Sequence, residues 1–231
     1  MSLHLQRQIN NLKKLILALG ATVEEKVLGA IKAVETRDVD LANHIIESDN
    51  QVDMMELEVE EECLHTLALH QPVAFDLRFV VAVLKINSDL ERMGDLAVNI
   101  AEQAVFLAND VPLDDIPFDL PGMATRVRRM LTQSLDALVN IDPELATHVR
   151  AADDPIDAIH RTMYGKIEVA IRENPHRIEQ LIHLLSVSRN LERIADHCVN
   201  IAEDVIYMAR GDILRHTRQT APAPSSQAAR P

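Results

Sequence analysis

Leu90 to Glu102 reads LERMGDLAVNIAE, and Leu191 to Glu203 reads LERIADHCVNIAE. The two stretches lie 101 residues apart and agree at nine of thirteen positions without a gap. A match of that length at one fixed offset marks an internal repeat, so the chain reads as two versions of one structural unit. Each copy carries a Glu and an Asp four residues apart, Glu91/Asp95 and Glu192/Asp196. On a helix advancing about 100° per residue, Glu91, Asp95, Asn99 and Glu102 fall within about 80° of one another. Leu90, Met93, Leu96, Ala97 and Ile100 take the other side. The second copy divides the same way, with Glu192, Asp196, Asn200 and Glu203 against Leu191, Ile194, Cys198 and Ile201. Acids one turn apart repel mildly. Keeping a stripe of oxygen donors twice against that repulsion needs a reason, and a bound cation is one.

Outward from these blocks, apolar residues recur at three- and four-residue steps through most of the chain. Helix 1 is expected from Ser2 to about Glu35. After the Thr36-Arg37-Asp38 break, with Asp38 as N-cap, helix 2 runs from about Val39 to His70. Gln71-Pro72 stops it, and helix 3 covers about Val73 to Ala108. Asn109 to Pro121, with three prolines and several aspartates, is the strongest linker signal. Helix 4 is expected over about Gly122–Asn140. Helix 5 starts at Asp142-Pro143 and runs to about Glu173, and helix 6 starts at Asn174-Pro175 and reaches about Arg210, with Gly211 just past its end. Thr217 to Pro231 is polar, Pro- and Ala-rich and aperiodic, the composition of a disordered tail. The expectation is an all-α fold: a tandem repeat of two antiparallel three-helix bundles, six long helices in all. The units are residues 1–110 and 122–212, joined by a linker at 111–121 and followed by a tail at 213–231.

Composition agrees with that class. Of 231 residues, 47% are hydrophobic but only 3% aromatic, with no Trp, which suits helices packed through aliphatic side chains. The net charge of −13 argues against a nucleic-acid binder, which needs a basic footprint. Two cysteines, Cys63 and Cys198, make no disulfide scaffold, and their acidic neighbours raise a thiol pKa, so neither reads as a nucleophile. The N-terminus lacks the apolar core of a signal peptide, and no apolar run is long enough to span a bilayer. A cytoplasmic location is expected.

The arms before each repeated block carry further acids. Asp49 and Asp53 repeat the four-residue spacing, and Asp153-Asp154-Pro155-Ile156-Asp157 is their counterpart. Pro155 has no partner in the first half and is expected to kink or interrupt helix 5, giving the second site a different shape. Pairs at i and i+4 on two neighbouring helices bring four carboxylates to one volume, a hard-ligand site for magnesium, manganese, calcium or iron. For Glu56 through Glu62 a solvated helix face is the simpler reading. Arg92 and Arg193, each directly after a motif Glu, offer salt bridges as the alternative to a metal. Glu62/His65 is the one Glu-x-x-His pair near these motifs; the second half offers Asp157/His160, which leaves a ferritin-like di-iron pattern incomplete. Gly-x-Ser-x-Gly, P-loop and GxGxxG motifs are absent from the sequence.

Gln71-Pro72-Val73-Ala74-Phe75-Asp76-Leu77-Arg78, Asp89 to Asp95 and Arg189 to His197 resemble the PhoU family of phosphate-signalling regulators, and the resemblance covers nearly all of residues 3–212. It implies two three-helix bundles, often as a homodimer. It implies a negative regulator of the phosphate-starvation response, a non-enzymatic adaptor between PstB, the ATP-binding subunit of the high-affinity phosphate transporter, and the sensor histidine kinase PhoR. The membrane is then met only through partners. It also implies metal ions (iron, zinc, manganese or magnesium) on Asp49, Asp53, Glu91 and Asp95, and on Asp153, Asp157, Glu192 and Asp196. Pro155 departs from the usual motif in the second set. The alternative is a metalloenzyme or metal-storage protein built on the same carboxylates.

Overall fold

The computed structural model describes residues 3–110 and 116–212. Among them there are eight α-helices, one 3₁₀ turn and no strand. The first repeat consists of α1 (Leu3–Thr36), α2 (Val39–Glu47), α3 (Asp49–His70) and α4 (Ala74–Ala108). The second consists of α5 (Leu120–Asn140), α6 (Pro143–Ala151), α7 (Asp154–Glu173), the 3₁₀ turn Pro175–Arg177 and α8 (Ile178–Arg210). The six-helix plan stands, with two of the six each divided in two. Ser2, where helix 1 was expected to start, residues 111–115 of the linker and the tail from 213 onward lie outside the described residues. The linker's far end is held down, since Phe118 is buried in the core.

Local chemistry sets the boundaries. Asp38 accepts a hydrogen bond from the Leu41 N–H at 2.9 Å, and Asp142 accepts from the N–H groups of Glu144 and Leu145, so α2 and α6 start on matching caps. Gln71 closes α3 in the left-handed region at φ 44°, and Gly211 closes α8 at φ 80°, where a residue without Cβ carries no strain.

The division of helix 2 at Ser48 corrects the continuous arm expected there, while helix 5 is interrupted at Ala152–Asp153, two residues before Pro155, as expected from the proline. Ser48 and Ala152 are equivalent positions in the two repeats, and the first repeat breaks there without a proline. Pro155 sits in the first turn of α7, where its missing N–H would have had no intrahelical partner. It fits a break that the repeat makes anyway.

α4 and α8, the helices of the repeated block, pack against each other more extensively than any other pair. α1 and α2–α3 cover α4, while α5 and α6–α7 cover α8. One continuous apolar core runs through both repeats, with Leu90, Met93 and Ile100 of α4 and Leu191, Ile194 and Ile201 of α8 at 1% exposure or less. Polar groups register the central seam. His197 Nδ1 lies 2.7 Å from Asp89 Oδ1, the Asn200 side-chain amide donates to the same oxygen at 3.1 Å, and Lys85 pairs with Asp204 at 3.0 Å. Asp89 and His197 are both buried, so losing Asp89 would strand the imidazole, whereas losing His197 would leave Asp89 only the Asn200 amide. Asn200 is therefore part of the seam and not of the oxygen stripe.

Candidate functional site

The carboxylate stripes face sideways from the seam. On α4, Leu90 and Met93 enter the core, which turns Glu91 and Asp95 toward α3. α3 can approach closely because Gly94 has no side chain: a Cβ there would lie 3.1 Å from Val52 Cγ1. Val52 is itself buried, so Asp49 and Asp53 on either side of it come up beside Glu91 and Asp95. The second repeat does the same with Ile156 buried between Asp153 and Asp157, facing Glu192 and Asp196 across α8. All eight residues singled out by spacing thus fall into two groups of four. Glu102 stays exposed in solvent, and Glu203 pairs with Arg150 of α6 at 3.2 Å.

The groups act on one another electrically. Partial burial, then Asp95, Glu56 and Asp53, raise the pKa of Glu91, while Arg92 lowers it. Asp95 is raised by burial and by Asp49 and Asp53, and is lowered by Lys26. In the second group, Asp153 is pushed up to about 7, first by burial and then by Asp157, Asp196, Glu192 and Asp154. Glu192 is raised by burial and Asp196, Asp196 is raised by burial and Asp157, and His160 lowers both. Like charges in a partly desolvated groove favour neutral forms, which leaves a net demand for positive charge. Arg92 and Arg193 do not meet it by contact: both are exposed, and among the described residues neither makes an ion pair.

Lys26, which spacing did not single out, and His160, met in the sequence only as the i+3 partner of Asp157, distinguish the groups. Lys26 of α1 is buried and its ammonium sits 3.2 Å from Asp49 Oδ1, so the first group carries a cation of its own. Met130 is at the equivalent place in the second repeat, and Asp153 Oδ1 is buried there with no hydrogen-bond partner. His160 stands where the first repeat has Glu56, and its Nδ1 is likewise buried without a partner. Laying α1 on α5 and α3 on α7 residue by residue would have exposed both exchanges.

The donors fit a hard or borderline cation: carboxylate oxygens in both groups, with an imidazole nitrogen added in the second. The orphaned Asp153 oxygen and His160 nitrogen are atoms that an ion would satisfy. No three His, Cys, Asp or Glu side chains among the described residues already converge into a coordination shell. Glu62 and His65 do not join the first group; His65 is exposed. Burial, reinforced by Glu62 and Glu60 at Cys63, pushes both Cys63 and Cys198 thiols up to about 12, so neither is a nucleophile at neutral pH. No helix among the described residues is long and apolar enough to cross a membrane.

The chain has relatives along nearly its full length. It is 34% identical over 217 residues to the phosphate-specific transport system accessory protein PhoU homolog of Pseudomonas aeruginosa, spanning 92% of this chain and 90% of that protein. It is 35% identical over 211 residues to the protein of the same description from Aquifex aeolicus, spanning 91% and 95%. The crystal structure of PhoU from Pseudomonas aeruginosa superposes with a TM-score of 0.86 at 33% identity, covering 90% of this chain and 99% of that one. The phosphate transport system regulatory protein PhoU from Streptococcus pneumoniae gives 0.81 at 28%, covering 90% and 98%. The family profile of the PhoU domain matches twice, at residues 16–104 and 120–205, each match containing one copy of the repeated block. By sequence and by fold, the chain belongs to the PhoU family.

Proposed function

We propose that this protein is a non-enzymatic accessory regulator of phosphate transport, acting on the cytoplasmic side as the adaptor through which phosphate sufficiency represses the starvation response. The observation that carries the reading is the match over about nine tenths of the chain to accessory proteins of the phosphate-specific transport system. The partners in this reading are PstB and PhoR, with homodimer formation as a further property. The structure offers broad helical faces and charged grooves, and thiols that are inert at neutral pH.

An adaptor transmits phosphate status only if it binds one transporter state better than another, because a ligand shifts an equilibrium by no more than its differential affinity. The carboxylate grooves supply a means. Asp49, Asp53, Glu91 and Asp95 would hold one ion or cluster, and Asp153, Asp157, Glu192 and Asp196 the other, with magnesium, manganese and iron matching the oxygen donors and zinc better matched where His160 contributes. A bound ion supplies the positive charge the groups call for and turns a repulsive surface into one that accepts acidic or phosphate-bearing partners.

The test is alkaline phosphatase activity in phosphate-rich medium, with and without the gene. High activity in the deletion, returned to low by the wild-type gene, is the expected result. Equal activity in both strains refutes the repressor role.

A further inference from the structure

The outer face of α3 is not accounted for by the fold or by the carboxylate groups. Val52, Val59 and Cys63 point inward, at 1% exposure or less. On the opposite side, Met54, Leu57 and Leu64 are 67%, 51% and 54% exposed. With exposed Ala68, and Glu61 between them, they lie within about 80° of one another on the helix wheel, one straight ridge over four turns. α3 carries seven carboxylates and no Lys or Arg, so this ridge is apolar and bordered by negative charge.

The second repeat is an internal control. At the fixed register that sets Asp49 on Asp153, the buried positions of α3 and α7 match: Val52 with Ile156, Val59 with Met163, Cys63 with Ile167. The outer positions do not. Met54, Leu57, Glu61 and Leu64 correspond to Ala158, Arg161, Gly165 and Glu168. A helix in this place in the bundle therefore needs no apolar outer ridge. Apolar side chains gathered on an otherwise charged helix mark a surface made to be covered.

We infer that the outer face of α3 is the docking surface for a basic amphipathic helix of a partner protein, whose apolar ridge lies on Met54, Leu57 and Leu64 and whose Lys and Arg side chains meet Glu58, Glu60 and Glu61. Charge selects that occupant. A second copy of α3 would bring seven carboxylates against seven, and an anionic membrane would be repelled in the same way. A helix in a groove or on a ridge is read through anchors three and four residues apart, the spacing of Met54, Leu57, Glu61 and Leu64. This inference rests on the adaptor reading for its premise that a partner exists.

The probe is a synthetic Leu/Lys amphipathic helical peptide, with a scrambled peptide of the same composition as reference, titrated by fluorescence anisotropy against the full chain at near-physiological salt. The variant is Leu57→Arg with Leu64→Glu, which installs the residues that α7 carries at those places. The expected result is binding of the amphipathic peptide at least tenfold tighter than the scrambled one, reduced at least tenfold by the double substitution, with helicity and thermal midpoint unchanged. Equal binding of the two peptides, or equal binding by wild type and variant, overturns the inference. So does a wild-type dimer in sedimentation that the double substitution dissociates, because a second copy then covers the ridge. The measurement is independent of phosphate signalling: the alkaline phosphatase test can fail while the tenfold difference stands, and the reverse.

Discussion

Replacing Asp153 by asparagine isolates the electrostatic cost of the second carboxylate group. Asp153 is half-buried at the entrance to α7, makes no capping hydrogen bond, and leaves Oδ1 without a partner. Burial and four neighbouring carboxylates raise its pKa from 3.8 to about 7. A shift of about three units at about 1.4 kcal/mol each gives a ceiling near 4 kcal/mol, and solvent access to the groove reduces this to about 2 kcal/mol. The sign follows from linkage. The folded state holds the proton more tightly than the unfolded state, so ionisation destabilises the fold. That penalty is absent below the unfolded value near pH 4, grows with pH, and is complete above about pH 7. Asp153→Asn should therefore stabilise the metal-free protein at pH 8 by about 2 kcal/mol, or about 4–8 °C in midpoint for a chain of this size. At pH 5 the gain should fall to less than half. Differential scanning calorimetry in chelator at the two pH values reads this directly. A lower midpoint at pH 8, or the same gain at both, refutes the argument that unscreened negative charge strains this groove.

The remaining predictions concern the first group and its approach. Lys26→Met copies the residue of the second repeat and removes the partner of Asp49; in chelator at pH 8 it should cost about 1 kcal/mol, since Asp49 stays open to water. An unchanged or higher midpoint in thermal melts would show that Lys26 is not the group's counter-charge. Gly94→Leu should destabilise by about 1–3 kcal/mol in urea unfolding, because the added side chain runs into buried Val52 of α3; a neutral result would mean that the crossing is slack. Glu91→Ala with Asp95→Ala should lower the metal retained after loading and dialysis, with far-UV circular dichroism unchanged. Metal content equal to wild type by mass spectrometry would remove both residues from the ligand set.

Much of the architecture was legible because the repeat fixes it. Thirteen residues seen twice place one amphipathic helix in each half, and the apolar positions of that helix are the ones that meet in the α4–α8 seam. Capping residues were equally readable, because Asp38 and Asp142 act through the nearest three residues. The break in helix 5 was readable from Pro155, but its counterpart at Ser48 was not. Nothing in the local sequence at Ser48 forbids a helix, and the arm divides there while staying packed on its long neighbours, a tertiary demand that propensity does not encode. Asp89, one residue before the motif, carries no local signal of its role. Only the packing of α4 on α8 shows that it is the buried acceptor for His197 and Asn200.

The candidate sites were half legible for a related reason. Spacing along one helix finds the pairs Glu91/Asp95 and Glu192/Asp196, and alignment of the repeats finds their partners on the arms. What spacing cannot give is the counter-charge, which arrives from a third helix in one repeat and is missing in the other. Lys26 is 23 residues from Asp49 in sequence, with no periodic signal linking them. Pro155 sits in the first turn of α7, directly between Asp153 and Asp157 of the second group. The first group already holds an ammonium, while the second holds an orphaned oxygen and an orphaned imidazole nitrogen. The duplicated fold thus carries two unlike charge environments. A cation that binds both must displace a lysine in one and only fill a deficit in the other, so the second group should load first.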